Sequence, residues 1–293
     1  MPELPEVEVI RLGLSRKIIG LKIQKIQVLS PKSFLGNPNL VQGQKVLNIW
    51  RKAKILGVEL SGDKTLLFHL KMSGQLVWKG ESGKGEGERF IGGHPTIDMV
   101  GQMPNSHTRV IFSFAGGSHL YFNDQRKFGW VKVVQSAKLK VQSEGILGKL
   151  GPEPLDKGFA WQVLKQNLLK HKNMPVKVAI MDQSVVSGVG NIYANEACFD
   201  ARLDPRTKVG SLTDEQFTRL HHGIVKSLQD GIKHGGSTRA HFVDAEGHKG
   251  YFLDYAFVYW RDKHACKVCG TEIKKVTLGG RGTYLCPKCQ KAV

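Results

Sequence analysis

Four cysteines near the C-terminus constrain this chain more than any other feature. Cys266 and Cys269 form one CxxC pair, Cys286 and Cys289 form another, and sixteen residues lie between the pairs. Each CxxC folds as a tight knuckle, so four sulfurs can converge on one tetrahedral ion, and the spacing fits a four-thiolate zinc site. Two disulfides would use the same residues, but nothing else in the sequence points to an oxidising compartment. One structural Zn2+ is therefore the expected cofactor. Residues 264–293 are too few to bury a core of their own and should depend on the metal to fold. The fifth cysteine, Cys198, lies in the helical run NIYANEACF, where a buried structural thiol is expected.

Charge narrows the partners. The 293 residues include 43 Lys plus Arg against 25 Asp plus Glu, a formal net charge of +18. Such an excess favours a polyanion, because Lys and Arg placed on phosphates release condensed counterions. A basic protein with no nucleic-acid role would carry the same balance. No apolar run is long enough to span a bilayer, MPELPEVEV does not read as a signal peptide, and no cationic amphipathic helix stands out. A cytoplasmic address without membrane contact follows as the expectation.

Periodicity then divides the chain. Val7, Ile10, Leu14 and Ile18 recur at three or four residues and predict a helix over 5–18. Residues 22–29, 45–50, 54–60, 65–71, 108–114 and 118–124 are short and β-branched. Gly, Pro, Asn and Asp punctuate them, as in an antiparallel sandwich. Residues 80–106, rich in Gly, Ser, Pro and charge, read as one long loop. From WQVLKQNLLK through VKVAIMDQSVV, NIYANEACFDA and DEQFTRLHHGIVKSLQDGIK the period becomes helical, to about residue 234; 235–250 reads as a Gly- and His-rich loop.

The N-terminus offers chemistry. An amine must be neutral to attack an aldehyde carbon; near pH 7 a lysine is neutral about one part in 2,500, an α-amino group about one part in seven. If Met1 is removed, Pro2 supplies such an amine. Its secondary nitrogen would give an iminium that is cationic without a further proton, with Glu3 and Glu6 beside it for proton transfer. Taken alone, MPELPE reads equally as a helix start with acids favoured by the dipole.

MPELPEVE, RKAK (51–54), HLKMSG (69–74), NDQRKFG (123–129), LGPEPL, DQSVVSGVGNIYANE (182–196), GGST (235–238), the two CxxC knuckles and GRGTYLCPKCQ (280–290) occur together and in order. That set resembles the bacterial formamidopyrimidine-DNA glycosylases, the MutM type, end to end and most weakly over 79–106. The resemblance implies an α+β multidomain fold: a catalytic antiparallel β-sandwich with flanking helices (1–135), a linker (136–151), a helical helix–two-turn–helix domain with a lesion-capping loop (152–263), and a four-cysteine zinc-finger hairpin (264–293). It implies a monomer that binds damaged double-stranded DNA and removes oxidised purines through a Schiff base on Pro2, followed by β,δ-elimination.

Roles follow residue by residue from the same resemblance. Pro2 would be the nucleophile and Glu3 the neighbouring acid, with Lys54 and Arg281 counted alongside them. Glu6 would support the site. His69, Arg109, Lys177, Asn191 and Arg281 would contact DNA. Met72, Arg126 and Phe128 match the family's void-filling trio. An enzyme working at C1′ must extrude the nucleotide; an apolar wedge recovers part of the lost stacking, and a planar guanidinium can pair the orphaned base. Three positions depart from the usual pattern: Lys127 for Arg, Ser106 for Lys, and Trp260 for Gly. The related endonuclease VIII type is disfavoured by Leu4-Pro5 and by the NDQRKFG context. A non-catalytic scaffold protein is disfavoured because Pro2 and Glu3 are both present.

Overall fold

The computed structural model describes residues 1–81, 88–93, 101–140, 145–236 and 252–291. They divide into two compact units, one running to Gly148 and the other starting at Lys149.

The first unit opens with α1 (Leu4–Ile18), whose buried Val7, Ile10, Leu14 and Ile18 confirm the helical stripe. Ten strands follow: β1 (Ile23–Val28), β2 (Phe34–Leu35), β3 (Val46–Lys52), β4 (Ile55–Leu60), β5 (Lys64–His69), β6 (Gly74–Lys79), β7 (Arg89–Gly93), β8 (Thr108–Phe114), β9 (His119–Asp124) and β10 (Trp130–Gln135). They form two five-stranded sheets, ordered β1-β8-β9-β6-β7 and β2-β10-β5-β4-β3. Every pairing is antiparallel except the short parallel β2–β10 contact.

Between the sheets lies one apolar core. Phe68 of one sheet meets Phe112 and Phe122 of the other at ring-centroid distances of 5.7 and 6.5 Å. Gly13 lets α1 close onto β7: a Cβ there would stand 2.2 Å from the Phe90 ring, so any side chain would push the helix off the sheet. Residues 136–148, expected as linker, include the short helices α2 (Ser136–Lys140) and α3 (Gly145–Gly148).

Two expectations need correction here. Residues 80–106 are not one unstructured loop. Within them β7 pairs with β6 along its whole length, and Met103 is buried against Val77, Ile91, Ile111 and Tyr121. The run VKVAIMDQSVV is not a full helix either, as described next.

The second unit contains α4 (Trp161–Leu168), α5 (Val176–Ala179), α6 (Asn191–Asp200), α7 (Asp214–Lys233) and α8 (Phe252–Tyr255). Helical geometry in the VKVAIMDQSVV run stops after one turn. The Asp182 carboxylate then accepts hydrogen bonds from the Ser184 amide and hydroxyl and turns the chain. α7 starts with a reciprocal capping box between Thr213 and Gln216. Finally β11 (Lys274–Leu278) and β12 (Arg281–Leu285) form a hairpin. Gly279 and Gly280 both have positive φ, as its two-residue turn demands. The expected loop at 235–250 and the lesion-capping segment at 237–252 fall almost wholly outside the described residues.

Candidate nucleic-acid interface and active site

In the first unit, Lys54, His69 and the connections that carry Met72, Arg126 and Phe128 gather at one end of the sandwich, for a topological reason. β5 leaves its sheet at His69 and re-enters the other as β6 at Gly74. β9 leaves at Asp124 and returns as β10 at Trp130. Gly74 pairs with Asp124, and His69 pairs with Trp130, so the connections 70–73 and 125–129 lie side by side. Ile55 also pairs with His69, which brings the β3–β4 turn at Ala53–Lys54 to the same end.

Glu3 is the N-cap of α1 and forms a capping box with Glu6, whose Oε2 accepts the Glu3 amide at 2.8 Å. Its carboxylate is only 2 % exposed. Pro2 is buried beside it, while Met1 is exposed. One turn on, Glu8 ties the helix to β3 through Arg51 Nε at 3.0 Å. Burial alone would raise the Glu8 carboxyl, but the guanidiniums of Arg11 and Arg51 prevail and hold it below its usual range.

Lys54 is buried at the hairpin tip, after Ala53 in left-handed backbone at φ 53°. Its charge and that of Lys71 both act on His69. Burial first, then these two ammoniums, lower the imidazole to about 4. His69 Nδ1 accepts the Lys71 amide at 3.0 Å, so the neutral ring carries its proton on Nε2. His69 also lies 5.6 Å from the Trp130 ring.

Phe128 is 56 % exposed, so its ring is no part of the core. The Arg126 guanidinium rests on its ring at 5.0 Å. Lys127 between them is exposed and left-handed at φ 58°. Met72 is half-buried on the neighbouring connection. Arg109 is buried and turned inward: Nε donates to the Asp124 carbonyl at 2.8 Å, and Nη1 donates to the Ser106 carbonyl at 3.1 Å.

In the second unit, the GVGN segment opens α6, with Gly190, which has no side chain to cap with, as its N-cap. Asn191 and Lys177 do not stand as free cationic and amide contacts. Lys177 is 0 % exposed; its Nζ donates to Asn191 Oδ1 at 2.5 Å and to Thr283 Oγ1 at 3.1 Å. Asn191 Nδ2 in turn donates to the Gly282 carbonyl at 3.1 Å. Lys177 and Asn191 thus form a bracket that holds α6 against β12. Arg281, at the start of β12, is exposed.

The four cysteine sulfurs lie within 4.8 Å of one another. Cys266 and Cys289 are 3.9 Å apart, Cys269 and Cys286 3.4 Å. A disulfide would need about 2.05 Å. A tetrahedral ion with Zn–S near ~2.3 Å requires sulfurs about 3.8 Å apart. The residues fit zinc, and the disulfide alternative falls. The hairpin's Ile273 and Tyr284 pack on Phe199 and Val258, an apolar base it lacks alone. Cys198 is fully buried and pushed up to about 12 by that burial, so it is a structural thiol.

Trp260 adopts φ 57°, a conformation glycine enters without strain, which accounts for the usual residue there. The indole is 48 % exposed and stacks on Tyr259 at 5.5 Å. Sequence reading missed Asp124 and Ser73, both inside motifs it quoted; their partners are brought together only by the fold.

Comparison with known proteins covers both units. Residues 1–131 match the formamidopyrimidine-DNA glycosylase N-terminal domain, 150–242 the H2TH domain of the same glycosylases, and 264–292 the zinc finger found in FPG and IleRS. The formamidopyrimidine-DNA glycosylase of Pelotomaculum thermopropionicum is 37% identical over 300 residues, covering 99% of each chain. That of Hahella chejuensis is 37% identical over 295 residues, covering 99% of this chain and 100% of its own. A Lactococcus lactis Fpg structure in complex with DNA containing an abasic site aligns with a TM-score of 0.84 at 28% identity, over 99% of both chains. MutM from Thermus thermophilus aligns with a TM-score of 0.82 at 32% identity, over 100% of both chains.

Proposed function

Because the chain belongs to the formamidopyrimidine-DNA glycosylase family, we propose that it acts on DNA through the sandwich unit, with Pro2, Glu3, Lys54 and His69 as its chemical residues. The enzyme is a base-excision-repair glycosylase and abasic-site lyase. It removes oxidised purines such as 8-oxoguanine and formamidopyrimidines from duplex DNA.

Once Met1 is removed, the Pro2 nitrogen attacks C1′ of the extruded nucleotide, and the C1′–N bond to the base breaks. Glu3 donates the proton that opens the sugar at O4′, and the proton lost from the Pro2 nitrogen passes to the departing base. The resulting iminium acidifies the C2′ hydrogens, so loss of one of them breaks the C3′–O bond, and δ-elimination follows. Lys54 binds the phosphate beside the lesion. His69 offers its Nε2–H to the backbone as a neutral donor. Met72, Arg126 and Phe128 fill the vacated stack. The zinc finger presents Arg281 to phosphate. When bound, zinc supplies structure: with four thiolates it has no open position for a catalytic water. A monomer in the cytoplasm, with residues 1–135 carrying the chemistry, completes the reading.

One observation carries the catalytic assignment: a carboxylate almost sealed from water lies one residue from Pro2, at a helix N-terminus. Borohydride trapping on 8-oxoguanine duplex tests it. The processed chain should form a covalent adduct, and a chain that retains Met1 should not. Equal trapping by both would remove Pro2 from the mechanism.

A further inference from the structure

We propose that Asp124 is a positioning residue that locks the Met72 and Arg126–Phe128 connections into one wedge; this rests on the void-filling reading above. Its carboxylate is 0 % exposed, and both oxygens are used. Oδ1 accepts the Ser73 hydroxyl at 2.5 Å and the Arg126 amide at 3.2 Å; Oδ2 accepts the Gly129 amide at 2.6 Å. Ser73 Oγ also accepts the Arg126 amide, at 3.0 Å, so the two connections meet directly as well as through the acid.

The position is forced from several sides. Asp124 is the last residue of β9, paired with Gly74, where the other connection ends. Its carbonyl accepts Arg109 Nε, and its amide donates to the His107 carbonyl at 2.9 Å. At Gly129 a Cβ would stand 2.8 Å from Phe122 and 3.0 Å from Asp124 Oδ2, so only glycine lets its amide reach the acid. Hydrogen bonds to an ionised acceptor are shorter and about twice as strong as neutral ones. The connections that carry Met72, Arg126 and Phe128 are thus clipped at their bases while their tips remain outside the core.

A clip makes the tips energetically dependent on each other. If Met72 and Arg126 enter the stack as one body, losing either forfeits most of what both supply. The double variant Met72→Ala/Arg126→Ala should then lose less excision than the product of the single losses. Coupling between residues in one network corresponds to roughly 2- to 150-fold. Ser73→Ala cuts the link to the Met72 side and leaves Gly129 on Oδ2. Asp124→Asn keeps an acceptor for Ser73 but replaces the oxygen facing Gly129.

The experiment is single-turnover excision of 8-oxoguanine for the four members of this cycle, in the wild-type, Ser73→Ala and Asp124→Asn backgrounds. Amide hydrogen exchange at Arg126 and Gly129 is measured alongside. We expect coupling of at least about fivefold in wild type, falling to near one in Ser73→Ala, which removes the direct link, and only in part in Asp124→Asn, which keeps the Ser73–Arg126 contact. Exchange should quicken at Arg126 in Ser73→Ala and at Gly129 in Asp124→Asn. Coupling that survives undiminished in Ser73→Ala, or exchange that does not change, would overturn the clip with the wedge reading intact. Wild type that excises nothing would overturn the underlying reading and the clip with it.

Discussion

On the reading proposed above, the sandwich end and the zinc hairpin both meet DNA, but different forces hold them. The sandwich end stands on an apolar core running from Val7 through Phe68 to Val131, and its polar groups are fixed by internal acceptors: Glu6 for the Glu3 amide, Asp124 for the two connections. The hairpin has only the small apolar base that Ile273 and Tyr284 make on Phe199 and Val258. Four thiolates close it, and the cation of Lys177, with Asn191, joins it to α6. Geometry that rests on hydrophobic burial can hold a reacting group within a fraction of an ångström. Geometry that rests on coordination is gained and lost with the ion. Chemistry is assigned to the first region and grip to the second.

The largest test of that division is Glu3→Gln. The substituted side chain keeps an oxygen for the capping box, so the helix start survives, but it cannot transfer a proton. Excision should fall by roughly 10²- to 10⁴-fold, the usual contribution of a positioned acid or base. DNA affinity, measured by anisotropy, should stay within about twofold. Wild-type rates in this variant would reduce Glu3 to a helix cap.

Next in size is metal removal, or Cys286→Ser. The hairpin should lose its near-ultraviolet signal from Tyr284, and the Arg281 contact should go with it. Affinity should drop about a hundredfold, equivalent to losing one or two charge-assisted hydrogen bonds. The slope of log affinity against log salt should become shallower by about one. Single-turnover chemistry at saturating protein should persist. If chelation instead stopped chemistry with binding intact, the division between the regions would be wrong.

Much of this was legible in the sequence, unevenly and for physical reasons. The cysteine spacing identified the metal site before any fold was known, because ligand spacing is local. The alternating strands were readable where one face is buried. β6 (GQLVWK) and β7 (RFIGG) escaped notice because glycine and polar residues break their pattern, and burial on both faces removes the alternation. Lys177 shows a different limit. A cation next to a DNA-binding motif reads as a contact, but its burial and its acceptors 14 and 106 residues away are set only by the fold. Asp124 was hidden for the same reason, since Ser73 reaches it across 51 residues. Pro2 and Glu3 were legible only through family resemblance, because an acid after a proline is also an ordinary helix start.

The smallest expected effect probes how dry the sandwich end is. His69 is lowered to about 4, first by burial and then by the charges of Lys71 and Lys54, against an ordinary 6.5. Between these values the unfolded chain binds a proton that the folded chain refuses. Stability therefore rises with pH: the contribution is fully present above 6.5 and is lost as pH falls towards 4. The full shift would correspond to about 3 kcal/mol; allowing for the ring's remaining contact with water, about 1–2 kcal/mol is the expected size. His69→Gln cannot titrate and should lack this part of the acid slope, while carboxylate contributions cancel in the difference. Urea unfolding of both proteins at pH 4.5 and 7, followed by tryptophan fluorescence with Trp130 next to the ring, reads it directly. The zinc hairpin, which releases metal in acid in both proteins, drops out of the comparison. Parallel slopes would mean that the imidazole is as well hydrated as in the unfolded chain. The neutral Nε2–H donor would then give way to a cation that titrates near neutral pH, and DNA binding would acquire a pH dependence through His69.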